Sequence, residues 1–234
     1  MSAAAQVIRQ HLGVDEPQSL IDGAFVAGTG APVVIDDAVS GDIALTYADG
    51  GEAAASSALD AAQTGGVLWR RLTASQRGAI LWQASQRIKE RTEALATLEA
   101  ITAAKPIRDA RVEVQKVSEM FAYYAGFADK LTGDVVPVPT SHLNLVMREP
   151  LETVVQITPW NAPIFTAGWQ LAPALAAGCA VVLKPSELTP SSSLALARLL
   201  HEAGVPQGAV NVVAGYGASA GQRLIGDARA GKVV

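Results

Sequence analysis

The chain has 234 residues, half of them apolar and 17% charged, which predicts a globular protein with one sizeable core or two smaller ones. The formal net charge is −4, with no run of Lys and Arg to override it, so a nucleic-acid-binding face is excluded. One cysteine, Cys179, rules out an internal disulfide framework and a CxxC zinc site, and His11, His142 and His201 lack metal-ligand spacing, so no metal is expected and a reducing cytoplasm suits the chain.

Residues 1–17 carry charges early and no long apolar segment, so they read as a loose or weakly helical arm rather than a secretory leader. "SLIDGAFVAG" alternates enough for a short strand, and "APVVIDDAVSGDIALTYA" supplies two more, bounded by Gly41. An alanine-rich helix is expected at about 51–64, stopped by the pair Gly65-Gly66. Thr73 and Gln76 make a capping box for the next helix, whose Leu81, Ala84, Ile88, Leu95 and Leu98 recur on one side. Thr92 is expected to cap a second segment after a small break. Another helix runs from about Asp109 to Lys130, with Val117, Met120, Phe121, Tyr124 and Phe127 as an apolar stripe that reads as core packing, not a platform for bases.

The period then changes. "DVVPVPT" and "LNLVMRE" read as two strands joined by a turn near Ser141-His142. Pro137 and Pro139 cannot donate to a central ladder, so this hairpin is an edge or an arm, a kind of surface that pairs with another subunit. After Pro150 the text becomes α/β: strand 153–157, helix about 163–177, strand "AVVLK", helix "SSLALARLLHEAG", strand "VNVVA" and helix "ASAGQRLIGDA". This alternation implies right-handed crossovers and a parallel sheet. Thr153 to Leu183 contains no charged residue, but three prolines and the polar Gln156, Asn161 and Gln170 argue for buried strands and a helix instead of a membrane span. The closing "KVV" reads as a further strand just begun, so truncation is expected.

In an open parallel sheet, ligands gather at the carboxyl ends of the strands. Three such ends carry the polar and glycine-rich clusters: "ITPWN", "LKPSE" and "AGYG". Lys184 offers three donors and Glu187 offers acceptors, which suits the hydroxyls of a ribose; equally, the two could pair with each other and cap the helix beginning near Ser191. "GYGASAG" is one residue too long for a dinucleotide fingerprint, and its bland reading is a tight strand-to-helix turn at Gly215 and Gly217. Asn161 is a buried-cost problem at the mouth of a greasy segment, to be met by the fold or by a ligand. Cys179 sits where a helix meets a buried strand with no activating base nearby in sequence, so it reads as core, not nucleophile.

"REP" followed by "QITPWNAPIFTAGWQLAPALAAGCAVVLKPSELTP" and "HEAGVPQGAVNVVAGYG" resembles the NAD(P)-dependent aldehyde dehydrogenase superfamily, from about residue 18 to the end, with "ASQRGAIL" and "AAKPIRDA" adding to the match. The resemblance implies an α/β fold: a modified, incomplete Rossmann-type parallel sheet with N-terminal helices and a β-hairpin oligomerisation arm. Its divisions would be 1–134, an N-terminal helical part of the cofactor-binding domain, then the hairpin at 135–150, then a Rossmann-like core at 151–234.

The family's chemistry is oxidation of an aldehyde to a carboxylic acid through a cysteine thioester, with a glutamate assisting hydrolysis. By resemblance Asn161 is the oxyanion donor. Ile157, Thr158, Pro159 and Trp160 line the cofactor turn, Lys184 and Glu187 hold the adenosine ribose with Ser186 between them also counted as cofactor-binding, and Gly217 and Gly221 border the adenine side. Glu187 favours NAD, because a 2′-phosphate would meet a like charge, while Lys184 offsets part of that repulsion and leaves NADP as an alternative. Glu152 and Ala104 stand where the family usually has glycine. Its cysteine nucleophile and glutamate base fall beyond residue 234, so this chain alone is expected not to turn over aldehyde. Expected partners are a small-molecule aldehyde and a second copy, as dimer or tetramer, through the 135–149 hairpin. The rival expectation is a non-catalytic cofactor-binding or assembly subunit; a split enzyme is a third. Phe165 and Trp169 read either as an apolar entrance or as core, and no particular aldehyde is singled out.

Overall fold

A computed structural model describes residues 2–139 and 141–234. Of the two readings of the N-terminal arm, loose or weakly helical, the structure has the helical one: α1 (Ala3–Leu12), capped at both ends. The Ser2 hydroxyl accepts from Ala5 N–H at 3.1 Å, and Gly13 ends the helix in the left-handed region at φ 73°. Between these caps Ala4, Val7, Ile8 and Leu12 bury one face. The strand expected in "SLIDGAFVAG" is a hairpin of two, β1 (Ser19–Ile21) and β2 (Ala24–Val26). Its two-residue loop, Asp22 at φ 51° and Gly23 at φ 78°, has the backbone twist that matches flanking antiparallel strands.

β3 (Pro32–Asp36) and β4 (Ile43–Ala48) form a separate antiparallel ribbon, as their patterning implies. Helix α2 (Gly51–Arg71) does not stop at Gly65-Gly66 but runs through both. A Cβ on Gly65 would lie 2.2 Å from the backbone at Gly208 and Ala209, and one on Gly66 would lie 3.1 Å from Ala180 Cβ. These glycines therefore let a helix approach its neighbours; they are not stop signals.

α3 (Ala74–Glu90) begins with the expected capping box: Gln76 N–H donates to Thr73 Oγ1 at 3.2 Å, and Thr73 N–H to Gln76 Oε1 at 2.8 Å. α4 (Thr92–Thr102) is capped not by Thr92 but at Arg91, and the Thr92 hydroxyl turns back to Lys89 O at 2.8 Å. α5 (Ile107–Phe127) starts two residues before Asp109, and a short 3₁₀ turn carries it to Lys130. Val117 and Phe121 of its stripe are fully buried, whereas Phe127 is exposed. β5 (Asp134–Val136) and β6 (Asn144–Val146) pair only with each other and every residue in them is exposed, the arrangement of an arm. Of the turn joining them, Thr140 lies outside the described residues.

The main sheet takes β7 (Thr153–Ile157), β8 (Ala180–Lys184), β9 (Val210–Val212) and β10 (Lys232–Val233), all parallel, and adds the β1–β2 hairpin antiparallel at the β9 edge. Its order is β10-β7-β8-β9-β1-β2. Successive residues of β8 point to opposite faces: Val181 and Leu183 enter the core under α3, α5, α6 (Pro163–Ala176) and α7 (Ser191–Glu202), while Ala180 and Val182 pack beneath α2. A strand covered on both sides has no polar face, which is why "AVVL" reads as continuously apolar. The helix expected in "ASAGQRLIGDA" is shorter than its text, a π-helical turn at Gly217–Gly221 followed by α8 (Gln222–Ile225).

No helix among the described residues is long and apolar enough to cross a membrane, so the uncharged stretch 153–183 divides into β7, α6 and β8. Both positions that depart from glycine carry positive φ: Ala104 at 50° and Glu152 at 60°.

Candidate cofactor and catalytic site

The chain runs from β7 to β8 to β9 in one direction across the sheet, then returns to the other side of β7 as β10. This reversal is a topological switch point, and the crevice outside the carboxyl end of β7 is where such sheets bind ligands. That end is Ile157-Thr158-Pro159-Trp160-Asn161. The sequence suggested the corner, but the switch depends on which side of β7 receives β10.

Backbone contacts join the β7 and β8 corners. Ile157 pairs with Lys184 across the sheet, and Thr158 N–H donates to Lys184 O at 3.1 Å. Thr189 Oγ1 donates to Trp160 O at 3.2 Å and ties the turn to the segment before α7. Pro159 and Trp160 are exposed, and so is Asn161, whose carboxamide has no hydrogen-bond partner among the described residues. Asn161 is therefore not the buried amide that its apolar neighbourhood suggested; its cost is met by solvent or by a ligand. It stands immediately before α6, whose N-cap residue Ala162 offers no side-chain acceptor, so the positive end of that helix lies beside the carboxamide. Phe165 is half-buried and Trp169 is 60% exposed, their rings 5.8 Å apart between centroids, which takes Trp169 out of the core.

Lys184 is 2% exposed. Its Nζ donates to Pro185 O at 3.0 Å and lies 3.3 Å from Glu187 Oε2. Burial pushes its pKa down, while the charges of Glu187 and Asp49 oppose the shift. The Lys184–Glu187 pair thus exists, but Glu187 does not cap α7, which has Pro190 at its N-cap and no side-chain cap. Ser186 Oγ accepts from Leu188 N–H at 3.3 Å and shapes the loop. The third corner adjoins Lys184: a Cβ on Gly221 would sit 3.8 and 3.9 Å from its Cδ and Cε. Gly217 is exposed with open space about it.

Three features fit a ribose-bearing dinucleotide. An ammonium with three donors leaves one N–H of Lys184 beyond its two acceptors. Glu187 is part-exposed, and its carboxylate keeps acceptor capacity beyond the contact with Lys184. Thr158 Oγ1 is buried at the β7 corner with no partner among the described residues, an orphan that a ligand could satisfy.

Against this geometry the family is decided by comparison. The aldehyde dehydrogenase family model matches residues 25–234. The chain belongs to the aldehyde dehydrogenase family. It is 39% identical over 158 residues to a betaine aldehyde dehydrogenase of Bacillus subtilis (strain 168), covering 67% of this chain and 32% of that protein. It is 35% identical over 232 residues to a mitochondrial benzaldehyde dehydrogenase of Antirrhinum majus, covering 95% and 42%. Among solved structures it is similar to PnpE from Pseudomonas sp. WBC-3, at 40% identity and a TM-score of 0.89, covering 93% of this chain and 45% of that one. PnpE has also been solved in complex with nicotinamide adenine dinucleotide. The chain thus spans less than half the length of each of these relatives.

Cys179, the chain's one thiol, is 4% exposed, and burial pushes its pKa above the ordinary value, opposed by the backbone of Leu151 and then by the charges of Arg70 and Arg77. A protonated, inaccessible thiol is a poor nucleophile, so its placement accords with the core reading.

Two residues near the site were missed in the sequence. Tyr47 is 1% exposed and its hydroxyl donates to Glu187 O at 2.7 Å. Asp49 accepts from the turn after β9. Their partners lie 140 to 170 residues away, beyond the reach of any local pattern.

Proposed function

We propose that this chain forms the dinucleotide-binding part of an oxidoreductase that converts an aldehyde to a carboxylic acid, with NAD as the hydride acceptor. The observation that carries the reading is the meeting of the β7 and β8 corners at the switch point, with Lys184 and Glu187 beside the unpartnered Thr158 hydroxyl and the exposed Asn161. Lys184 and Glu187 would hold the adenosine ribose hydroxyls, one donating and the other accepting. Ile157, Pro159 and Trp160 would supply the apolar wall of the nicotinamide side, and Gly217 and Gly221 leave room on the adenine side. When bound, NAD supplies the two-electron acceptor.

Asn161 would donate its amide N–H to the negative oxygen that develops on the aldehyde carbonyl when a nucleophile adds, aided by the uncapped start of α6. Cys179 is not that nucleophile, and the 234-residue chain is expected to bind cofactor without oxidising aldehyde by itself. The carboxylate of Glu187 disfavours a 2′-phosphate, hence NAD over NADP. The exposed Val135, Leu143, Leu145 and Met147 of the β5–β6 arm support pairing with a second copy, and one buried free thiol accords with a reducing cytoplasm.

Calorimetric titration of the purified chain with NAD tests the reading. Saturable binding is expected, weakened roughly tenfold or more in Lys184→Met, since a hydrogen bond to a charged group contributes about 1.5–3 kcal/mol and about 1.4 kcal/mol is a factor of ten. Asn161→Ala is expected to leave affinity unchanged, because its proposed partner is the aldehyde oxygen and not the cofactor. No saturable signal at millimolar NAD overturns the proposal, and aldehyde-dependent NAD reduction by the pure chain overturns its account of Cys179.

A further inference from the structure

Asp49 is 5% exposed, on the connection between β4 and α2. An ionised carboxylate is costly to bury unless its oxygens are satisfied. Three donors meet that need: Gly51 N–H at 3.0 Å and Tyr216 N–H at 3.1 Å to Oδ1, and Ser219 Oγ–H at 2.6 Å to Oδ2. The helix start accounts for the first. The other two belong to the turn after β9, which lies 167 residues on in the case of Tyr216.

The approach is close enough to require glycine opposite. A Cβ on Gly215 would stand 1.9 Å from Asp49 Oδ1. On its other side the Asp49 backbone is held by the 28–31 loop, where Gly30 N–H donates to Asp49 O and Asp49 N–H to Ala31 O, both at 2.9 Å. Next to it Gly50 N–H donates to Ala214 O at 2.9 Å. The carboxylate therefore joins an anchored N-terminal segment to a turn that is otherwise short and irregular. That turn contains Gly217 and ends at Gly221, which packs on the Lys184 side chain. The charge of Asp49 also supports the buried ammonium of Lys184.

We propose that Asp49 is a positioning residue for the adenosine side of the dinucleotide: its carboxylate sets the 215–221 turn and through it the affinity for the cofactor, without touching it. The inference rests on the dinucleotide reading above. A merely structural Asp49 would lower stability and leave affinity alone, which separates the two roles.

The test uses the whole 234-residue chain with Asp49→Ala, Asp49→Asn and Ser219→Ala, and Ile88→Ala in the distant α3 core as a control for lost stability. NAD and AMP are titrated calorimetrically, and amide hydrogen exchange is followed without ligand. Asp49→Ala is expected to bind both NAD and AMP roughly tenfold more weakly and to exchange faster at 215–221 than the parent. Ser219→Ala should lose a few-fold, and Asp49→Asn, which keeps an oxygen for Tyr216 N–H, should recover part of the loss. Ile88→Ala should melt lower with affinity intact. If the parent binds NAD and Asp49→Ala binds it equally well, or if exchange at 215–221 is unchanged, the proposal falls alone. A parent chain that binds neither NAD nor AMP removes the dinucleotide reading and this proposal with it. Should Asp49→Ala not fold, Asp49→Asn and Ser219→Ala decide by the same two measurements.

Discussion

Glu152 occupies the left-handed region at φ 60°, one residue before β7. The fold imposes that conformation: Glu152 O accepts from Ala180 N–H at 2.7 Å and so opens the β7–β8 ladder. A residue with a Cβ loses about 1–2 kcal/mol there. Glycine removes that cost but gives the unfolded chain more freedom, a loss of about 0.5–1 kcal/mol. The Glu152 side chain is exposed and makes no ion pair or hydrogen bond among the described residues, so its removal sacrifices no contact. The difference between the midpoints of these ranges predicts that Glu152→Gly stabilises the chain by about 0.75 kcal/mol. For a domain of this size that is a rise in melting temperature of about 1–4 °C, within reach of scanning calorimetry. Glu152→Ala deletes the carboxylate but keeps the Cβ, and should show no comparable gain. A Glu152→Gly protein melting at or below the parent refutes the strain argument, and so does an equal gain from Glu152→Ala.

Three further outcomes follow from the packing. Gly65→Ala, which in a free helix would add about 1 kcal/mol, should instead destabilise by at least about 1–3 kcal/mol in urea unfolding, because its Cβ would strike the backbone at 208–209. Glu99 is 0% exposed and held by Lys105 Nζ at 3.0 Å; Lys105→Met should cost about 3–5 kcal/mol at pH 7 by leaving that carboxylate without its cation. Burial already raises the Glu99 pKa. Its stabilising contribution is thus fully present below the unfolded pKa of about 4.3 and lost as pH rises through the folded value, so part of the Lys105→Met deficit should be recovered on acidification toward pH 5. Cys179, with its pKa raised by burial, should resist iodoacetamide in the native chain and react at once in 6 M guanidinium; its contribution to stability is held below about pH 8.5 and declines above it as the unfolded thiol ionises. Rapid alkylation of the folded protein would refute its burial.

What could be read from residues alone was what neighbours in sequence determine. The capping box of Thr73 and Gln76, the spacing of Leu81, Ala84 and Ile88, and the unbroken apolar run of β8 each follow from a helical or extended repeat with local punctuation, and the family motifs sit on the strand ends that this alternation creates. The parallel α/β core and the β7, β8 and β9 corners were legible for that reason. Tertiary structure decided the remainder. Gly65-Gly66 looks like a stop until the backbone at 208–209 is seen against it. Asn161 looked buried among apolar neighbours and is exposed at the crevice. The side of β7 on which β10 pairs, the entry of β1 into the sheet, and the grip of Asp49 on Tyr216 and Ser219 are contacts between segments many residues apart. Such contacts depend on how the layers stack, and a glycine or a carboxylate carries no local mark of the partner it will meet.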